Sequence, residues 1–472
     1  MTLLNKTLNT LERPGEFRLT DVVLTSSSGI KVDITDAIST LNIFASAYTP
    51  FITGRLTFAD IINLSDALPL LGEETITYKL YTPGVDSESI DTTEHPMKVT
   101  RLSSIKMNET SQGYYLEFAS PEFKRNNRVR SVSPLRGTHS DMVETILRYD
   151  LKTSKDISLE KTQENFKIVS PNIPPISLIQ KIADRSTSSN FNETGYFFYE
   201  DFFNTFHFRT FASMVNETPG VPRQSTIIYH VAPETVNELY TQMTRVKSFD
   251  LIRSYDHTEN TRSGMYASKL IVHNTDSKSY KEYEFRYDDF FNKSYHTDMK
   301  KNKNNKIAYD GPVDEFGNKL YDFSESRICA VVNAGDRLYN ESSGSSANYP
   351  YKSPNFQTTI QQRLSREQSL KNITLSLTVH GLTALSIGQA IEFILPSMNM
   401  YSGDDNVSQL YSGRYIITKL RHSVIIDGSP THETIIECVK DSLSKSIVTN
   451  RETHHSISSK KQTSYVRNES YR

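Results

Sequence analysis

The chain contains no tryptophan and only two cysteines, Cys329 and Cys438, among 472 residues. Two cysteines cannot build a disulfide framework or a four-cysteine zinc site, and both read as small buried hydrophobes. No stretch approaches the roughly 18–20 uninterrupted apolar residues that a membrane-spanning helix needs. Met1 to Phe17 lacks the basic start and apolar run of a secretory signal, so a soluble chain not exported by that route is expected. An excess of one charge sign is also missing. With 53 basic and 55 acidic residues the formal net charge is −2, which excludes an overall electrostatic footprint for nucleic acid or an anionic membrane. The sequence has no phosphate-cradling Gly-x4-Gly-Lys-Ser/Thr loop, no Gly-x-Ser-x-Gly elbow and no His-Glu-x-x-His.

What is present is length enough for about two to four domains and 36% hydrophobic residues, sufficient for several modest cores. In the first part of the chain apolar residues recur at every second position: Ile30, Val32 and Ile34; Ile76, Tyr78 and Leu80; Tyr114, Leu116 and Phe118. These segments are too short for helices and predict strands with one buried face, in a small antiparallel barrel or sandwich. From Gly137 the period changes. Met142, Val143, Ile146, Leu147 and Leu151 share one helical face behind a capping box of Thr138 and Asp141. Pro174-Pro175 opens a second helix through Ile182 and Ala183, and Tyr196 to Phe211 predicts a hairpin turning across Glu200 to Asn204. Strands resume after Thr244 and again, most cleanly, from Ile373 to Val379. Between these lie a lysine- and asparagine-rich stretch at 299–306, a Ser-, Gly- and Pro-rich stretch at 342–354 and one short helix around Ile360 and Leu364.

An ordered internal repeat stands out. Arg55 to Phe58, Leu71-Gly72-Glu73, Val99 to Leu102 and Tyr115 to Phe118 recur as Ile373 to Val379, Ile387-Gly388-Gln389, Ile417 to Leu420 and Ile435 to Cys438. Thr100 and Thr418 would then be equivalent, as would Glu117 and Glu437.

Residues that could carry chemistry are few. Asp404-Asp405 lacks the graded spacing and terminal glutamate of a calcium loop and reads as a solvated turn. Asp288-Asp289 could offer paired carboxylates, but adjacent residues diverge. His454-His455 supplies two ligands in a polar tail, too few for a metal site, and His380 falls on the polar side of its strand, facing solvent. Catalytic, cofactor-binding and metal-ligating residues are therefore assigned as none, and no cofactor is expected.

Several blocks together resemble the baseplate central hub subunit of T-even-like contractile-tailed bacteriophages, relatives of the N-terminal half of type VI secretion spike proteins. They are Tyr48 to Phe58 (YTPFITGRLTF), Leu68 to Glu74 (LPLLGEE), Val129 to Ser133 (VRSVS), Ile173 to Ala183 (IPPISLIQKIA) and Gly195 to Glu200 (GYFFYE). In the last third they are Leu377 to Gly381 (LTVHG), Ile387-Gly388, Leu410 to Thr418 (LYSGRYIIT), His422 and Glu433 to Asp441 (ETIIECVKD). The resemblance implies a mainly β chain with α+β character: two tail-tube-like antiparallel β-barrel domains, an α+β domain and an inserted domain. The expected division is 1–125 for the first barrel domain, 126–225 for the α+β middle domain, and 226–275 with 370–443 for the second barrel domain. Residues 276–369 form the inserted domain and 444–472 a basic flexible tail with six Lys/Arg against two Glu.

The function it implies is structural and not enzymatic: a homotrimeric ring in the virion tail baseplate, assembled in the bacterial host cytoplasm. The ring adapts a sixfold tail tube protein on one side to a trimeric central spike protein on the other, contacts other baseplate proteins, and leaves an axial channel for DNA ejection without specific binding. A neutral or acidic channel wall is expected. The alternatives are a tail-associated cell-wall hydrolase, which needs two carboxylates in acid and base roles, and a host-binding adhesin.

Overall fold

The computed structural model describes residues 11–60, 72–83, 89–106, 112–163, 165–216, 227–231, 239–275, 278–298, 306–307, 313–333, 356–396 and 407–443. The first strands are β1 (Arg18–Thr25), β2 (Ile38–Ser46), β3 (Thr53–Asp60), β4 (Thr75–Tyr81), β5 (Met97–Lys106) and β6 (Gln112–Ala119). Their period of two puts Leu41 and Ile43, Leu56 and Phe58, Ile76 and Tyr78, and Leu116 and Phe118 on one buried face. Burying each such side chain contributes about 1.5–3 kcal/mol, which sets the register: a one-residue slip would expose the whole set.

The middle segment holds α1 (Pro121–Arg128), α2 (His139–Thr145), α3 (Pro175–Ala183) and the hairpin β7 (Tyr196–Glu200) and β8 (Thr205–Thr210). The capping box forms as the sequence predicts: the Thr138 hydroxyl accepts from the Asp141 amide, and the Asp141 carboxylate from the Thr138 amide, both at 3.2 Å. Met142, Val143, Ile146 and Leu147 pack there on Ile179, Ile182, Phe198, Phe206 and Phe208 in a core of their own.

After β9 (Ile227–His230) and β10 (Val246–Arg253) come β11 (Ser268–Asn274), β12 (Ser279–Phe285) and β13 (Ile328–Asn333), which make a separate sheet in the order β12-β11-β13. The boundary expected at 275/276 needs correcting, because β11 pairs with β12 and β13 and so belongs with the inserted sheet. Alternation predicted that strand but could not say which partner it takes. Cys329 on β13 is half-buried, on the face opposite exposed Ile328 and Val332, whereas Cys438 is buried. A helical segment, Gln357–Gln362 continuing into α4 (Arg363–Ser369), is longer than the short helix the sequence suggested. The last strands are β14 (Ile373–His380), β15 (Ala390–Ile394), β16 (Gly413–Ile425) and β17 (Thr431–Lys440).

The fold is mainly β with large antiparallel sheets. The sequence favours two separate barrels, yet the described strands run as one long ladder, β10-β14-β17-β16-β2-β3-β6-β5-β4-β1, with β15 against β16 and β9 against β15. Among the described residues this ladder does not close on itself. Apolar residues of both halves, joined by Tyr199, Phe202, Phe211 and Met214 from the middle segment, form one continuous core on one face of the ladder. Its other face carries mainly polar and charged side chains, such as Asn42, Arg55, Glu117, Arg421 and Glu437, with Phe44 and Ile435 among them.

Candidate functional site: the free edges of a duplicated sheet

The long ladder is one strand pattern used twice. In the first copy the order is β2-β3-β6-β5 with β4 beside β5; in the second it is β10-β14-β17-β16 with β15 beside β16. The irregularities fall at matching positions. The β5·β6 register shifts between Val99 and Arg101, and the β16·β17 register between Ile417 and Lys419. The bulged residue is a threonine in both, and the hydroxyls of Thr100 and Thr418 donate to the carbonyls of Glu117 and Glu437, each at 3.1 Å. The first strand of each copy is irregular too, between Ile38 and Thr40 and between Val246 and Ser248. Gly72 and Gly388 both adopt positive φ, +86° and +80°, a conformation that favours glycine.

The copies are joined edge to edge. Within the chain, β16 of the second copy pairs antiparallel with β2 of the first, from Lys419↔Ser46 to Ile425↔Thr40. The matching edges, β10 at one end of the ladder and the part of β5 beyond its pairing with β4, have no such neighbour among the described residues: β10 pairs only with β14, and β5 beyond Val99 only with β6. Burial shows the difference. Leu41 on β2 is 0% exposed, while its counterpart Phe249 on β10 is 38% exposed, and Ile252 beside it is 49% exposed. A long edge with apolar side chains is a template for strand pairing that a protein must cover or use.

Two buried ion clusters tie the other segments to this sheet. Arg366 of α4, 2% exposed, donates from Nη1 to Asp441 Oδ2 (3.0 Å) and from Nη2 to both carboxylate oxygens of Glu193 (3.0 Å each), with the Phe211 and Phe290 rings beside its guanidinium. Asp441, directly after β17, also accepts from the Thr297 amide (3.0 Å) and lies 2.9 Å from Nδ1 of His296. Burial pushes its carboxyl up, but His296 and Arg366 outweigh that and hold it down at about 2. In the second cluster the Lys155 ammonium lies between Glu122 (3.1 Å) and Glu200, and Glu200 also accepts from the Ser120 hydroxyl and the Ile52 amide (3.1 Å). Burial raises Glu200 against the pull of Lys155. Both glutamates are sealed from solvent and occupied, so this carboxylate pair pins the middle segment to the first strand set and offers no access to a substrate.

The residues singled out from the sequence do not converge. Asp288 pairs with Lys306 while Asp289 is exposed. Asp404-Asp405 and His454-His455 lie outside the described residues. His380 is not a plain solvent-facing histidine, because the turn at Gly15 comes over it: a Cβ at Gly15 would lie 3.3 Å from His380 Nδ1. Burial, and Lys247 nearby, depress its pKa to about 4. Across the sheet, buried His422 and His432 meet at 3.1 Å (Nδ1 to Nε2), with the Thr434 hydroxyl 3.2 Å from His422 Nδ1. Burial lowers both, His432 to about 3. Among the described residues no group of three or more His, Cys, Asp or Glu is arranged to hold a metal ion, and no helix is long and apolar enough to cross a membrane.

Among solved structures the chain is similar to a tail protein of Neisseria meningitidis MC58, with a TM-score of 0.49 and 10% identity, covering 90% of this chain and 97% of that one. It is similar to the 43 kDa tail protein of prophage MuSo2 from Shewanella oneidensis, with a TM-score of 0.47 and 11% identity over 90% of this chain and 99% of that one. A third is an Escherichia coli component of the type VI secretion system described as structurally similar to T4 bacteriophage tail proteins, with a TM-score of 0.40 and 9% identity over 92% and 78% of the two chains. No protein-family model matches the sequence, and no curated protein does.

Proposed function

We propose that this chain is a structural hub subunit of a phage tail baseplate, forming a homotrimeric ring between a sixfold tail tube and a threefold central spike. The observation that carries the ring is the pair of free edges. What β16 does for β2 inside the chain, β5 of one subunit can do for β10 of the next, because these strands are equivalent members of the repeat. Such a contact is heterologous, head to tail, and closes into a ring when the rotation allows. Three chains then supply six equivalent strand sets and three copies of everything else, which matches sixfold and threefold partners at once.

The barrel character expected of each copy is completed, on this reading, at the level of the ring, whose strands form one closed wall. Because the core gathers on the apolar face of the sheet, closure turns the polar face inward, toward an axial passage for DNA. The basic tail from 444 onward and the inserted segment are available for the spike and neighbouring baseplate proteins. This role requires no catalyst.

The equivalence also fixes a register. Arg421↔Phe44 inside the chain corresponds to Ser103 of one subunit opposite Arg253 of the next. Opposed Cα atoms in antiparallel strands lie about 4.5–5.5 Å apart, within disulfide reach. With Cys329 replaced by serine, the double variant Ser103→Cys/Arg253→Cys should oxidise to covalent trimers. Either single variant should stay monomeric on a non-reducing gel, because a heterologous contact never brings two copies of one site together. Dimers from a single variant, or no cross-link from the double variant at high protein concentration, would refute the arrangement.

A further inference from the structure

Glu117 and Glu437 hold equivalent places in the two copies, each beside at least one cation. Arg55 on β3 reaches Glu117 (Nε to Oε1, 3.4 Å), and Arg101 on β5 stands opposite Glu117 in the ladder. Lys419 on β16 reaches Glu437 (2.8 Å), whose other neighbour in register is Ser376. The acid recurs with a cation opposite it in register, Arg101 facing Glu117 and Lys419 facing Glu437, and the first copy adds a second cation in Arg55, so the repeated element is a glutamate set among the cations of this face. Stability does not account for it. These pairs lie on the exposed polar face, with side chains 55% and 28% exposed in one and 49% and 24% in the other, and solvent-screened pairs of this kind contribute little to stability. The same face carries Arg421, which donates to the Asn42 side-chain oxygen Oδ1 (2.8 Å), and Lys247, paired with Glu433 (2.9 Å). The face is therefore mixed in charge.

We infer that Glu117 and Glu437 are masking residues: they neutralise the cations of the polar face so that a polyanion running past it is not held. This rests on the ring reading, which turns that face inward and repeats the two glutamates as six carboxylates at one height of the channel. Unmasked arginine and lysine would bind phosphates and release their counterions, which gives tight and strongly salt-dependent retention. In the ring, three copies each of Arg55, Arg101 and Lys419 are numerous enough to grip DNA, and the six carboxylates at their sides offset most of that charge.

The test uses the full chain, its ring verified by the Ser103–Arg253 cross-link, and a fluorescent DNA duplex as the probe. The variant Glu117→Gln/Glu437→Gln should retain DNA at least tenfold more tightly than the unsubstituted ring at about 50 mM salt, and lose most of that gain by about 200 mM. Adding Arg55→Gln, Arg101→Gln and Lys419→Gln should return retention to the starting level, which a merely structural role for the glutamates would not produce. Equal retention with and without Glu117→Gln/Glu437→Gln, in rings that still form, overturns the masking role and leaves the ring standing. Failure of the cross-link overturns the ring, and the masking role with it.

Discussion

Replacing Arg366 with alanine should lower the unfolding free energy by about 3–5 kcal/mol, because it leaves Glu193 buried without its cation and Asp441 with only its contacts to His296 and Thr297. The three residues come from α4, the loop before β7 and the end of β17, so the loss should be felt across segments far apart in sequence. Urea denaturation followed by fluorescence of the abundant tyrosines would show a fall in midpoint at unchanged slope. Adding Glu193→Gln to Arg366→Met should recover part of the loss, since fewer buried charges then lack a partner. A cost below about 1 kcal/mol for Arg366→Ala would show that water or a rearranged neighbour replaces the guanidinium.

The second large effect is with pH. His422 and His432 are held neutral by burial, well below the ordinary value of 6.5, with His432 at about 3. Groups whose folded values are depressed contribute stability that is complete above the unfolded value and lost as pH falls toward the folded one. Stability should therefore decline from about pH 6.5 downward, with a slope of up to about 1.4 kcal/mol per pH unit for each histidine. Half-buried His380 adds less, because solvent screens it. Asp441 acts in a later window: its contribution is intact above its ordinary 3.8 and disappears as pH falls to about 2. Urea midpoints at pH 7, 5.5 and 4 should fall steadily for the unsubstituted protein and more gently for His432→Gln. Parallel lines for the two proteins would remove the histidine pair as the cause.

Local signals carried well from sequence to structure. The Thr138/Asp141 cap, the helix opening at Pro175 and the hairpin between Glu200 and Thr205 each depend on a few adjacent residues and on chemistry that one turn decides. The repeat was legible as an order of short blocks, because a threonine bulge beside a glutamate and a glycine at positive φ leave a trace in residue type. The join between the copies was not. Arg421 and Asn42 meet across it from 379 residues apart, and alternation says which face a strand buries without saying which strand lies beside it. The same limit placed β11 with the wrong sheet. Arg366 and Lys155 gave no signal at all, since a buried ion cluster takes its partners from distant segments, 173 residues away for Glu193 and 45 for Glu200. His380 was misjudged for a similar reason: the strand pattern put it outward, and a turn 365 residues earlier covers it.

The distance between β2 and β16 also governs the order of events on the ribosome. β2 through β6 can pair as soon as residue 119 has emerged, but the strand that covers β2 follows roughly 300 residues later, which at about 5–20 residues per second is a wait of tens of seconds. During that time the nascent first copy shows a bare edge that fits not only its own β16 but also any finished neighbour's β5. On a crowded polysome the wrong partner is therefore available before the right one. Synthesis in which β16 is withheld, by stalling translation before residue 413, should accordingly yield chains joined to one another through β2, and slow synthesis should be more harmful to yield than a modest loss of final stability.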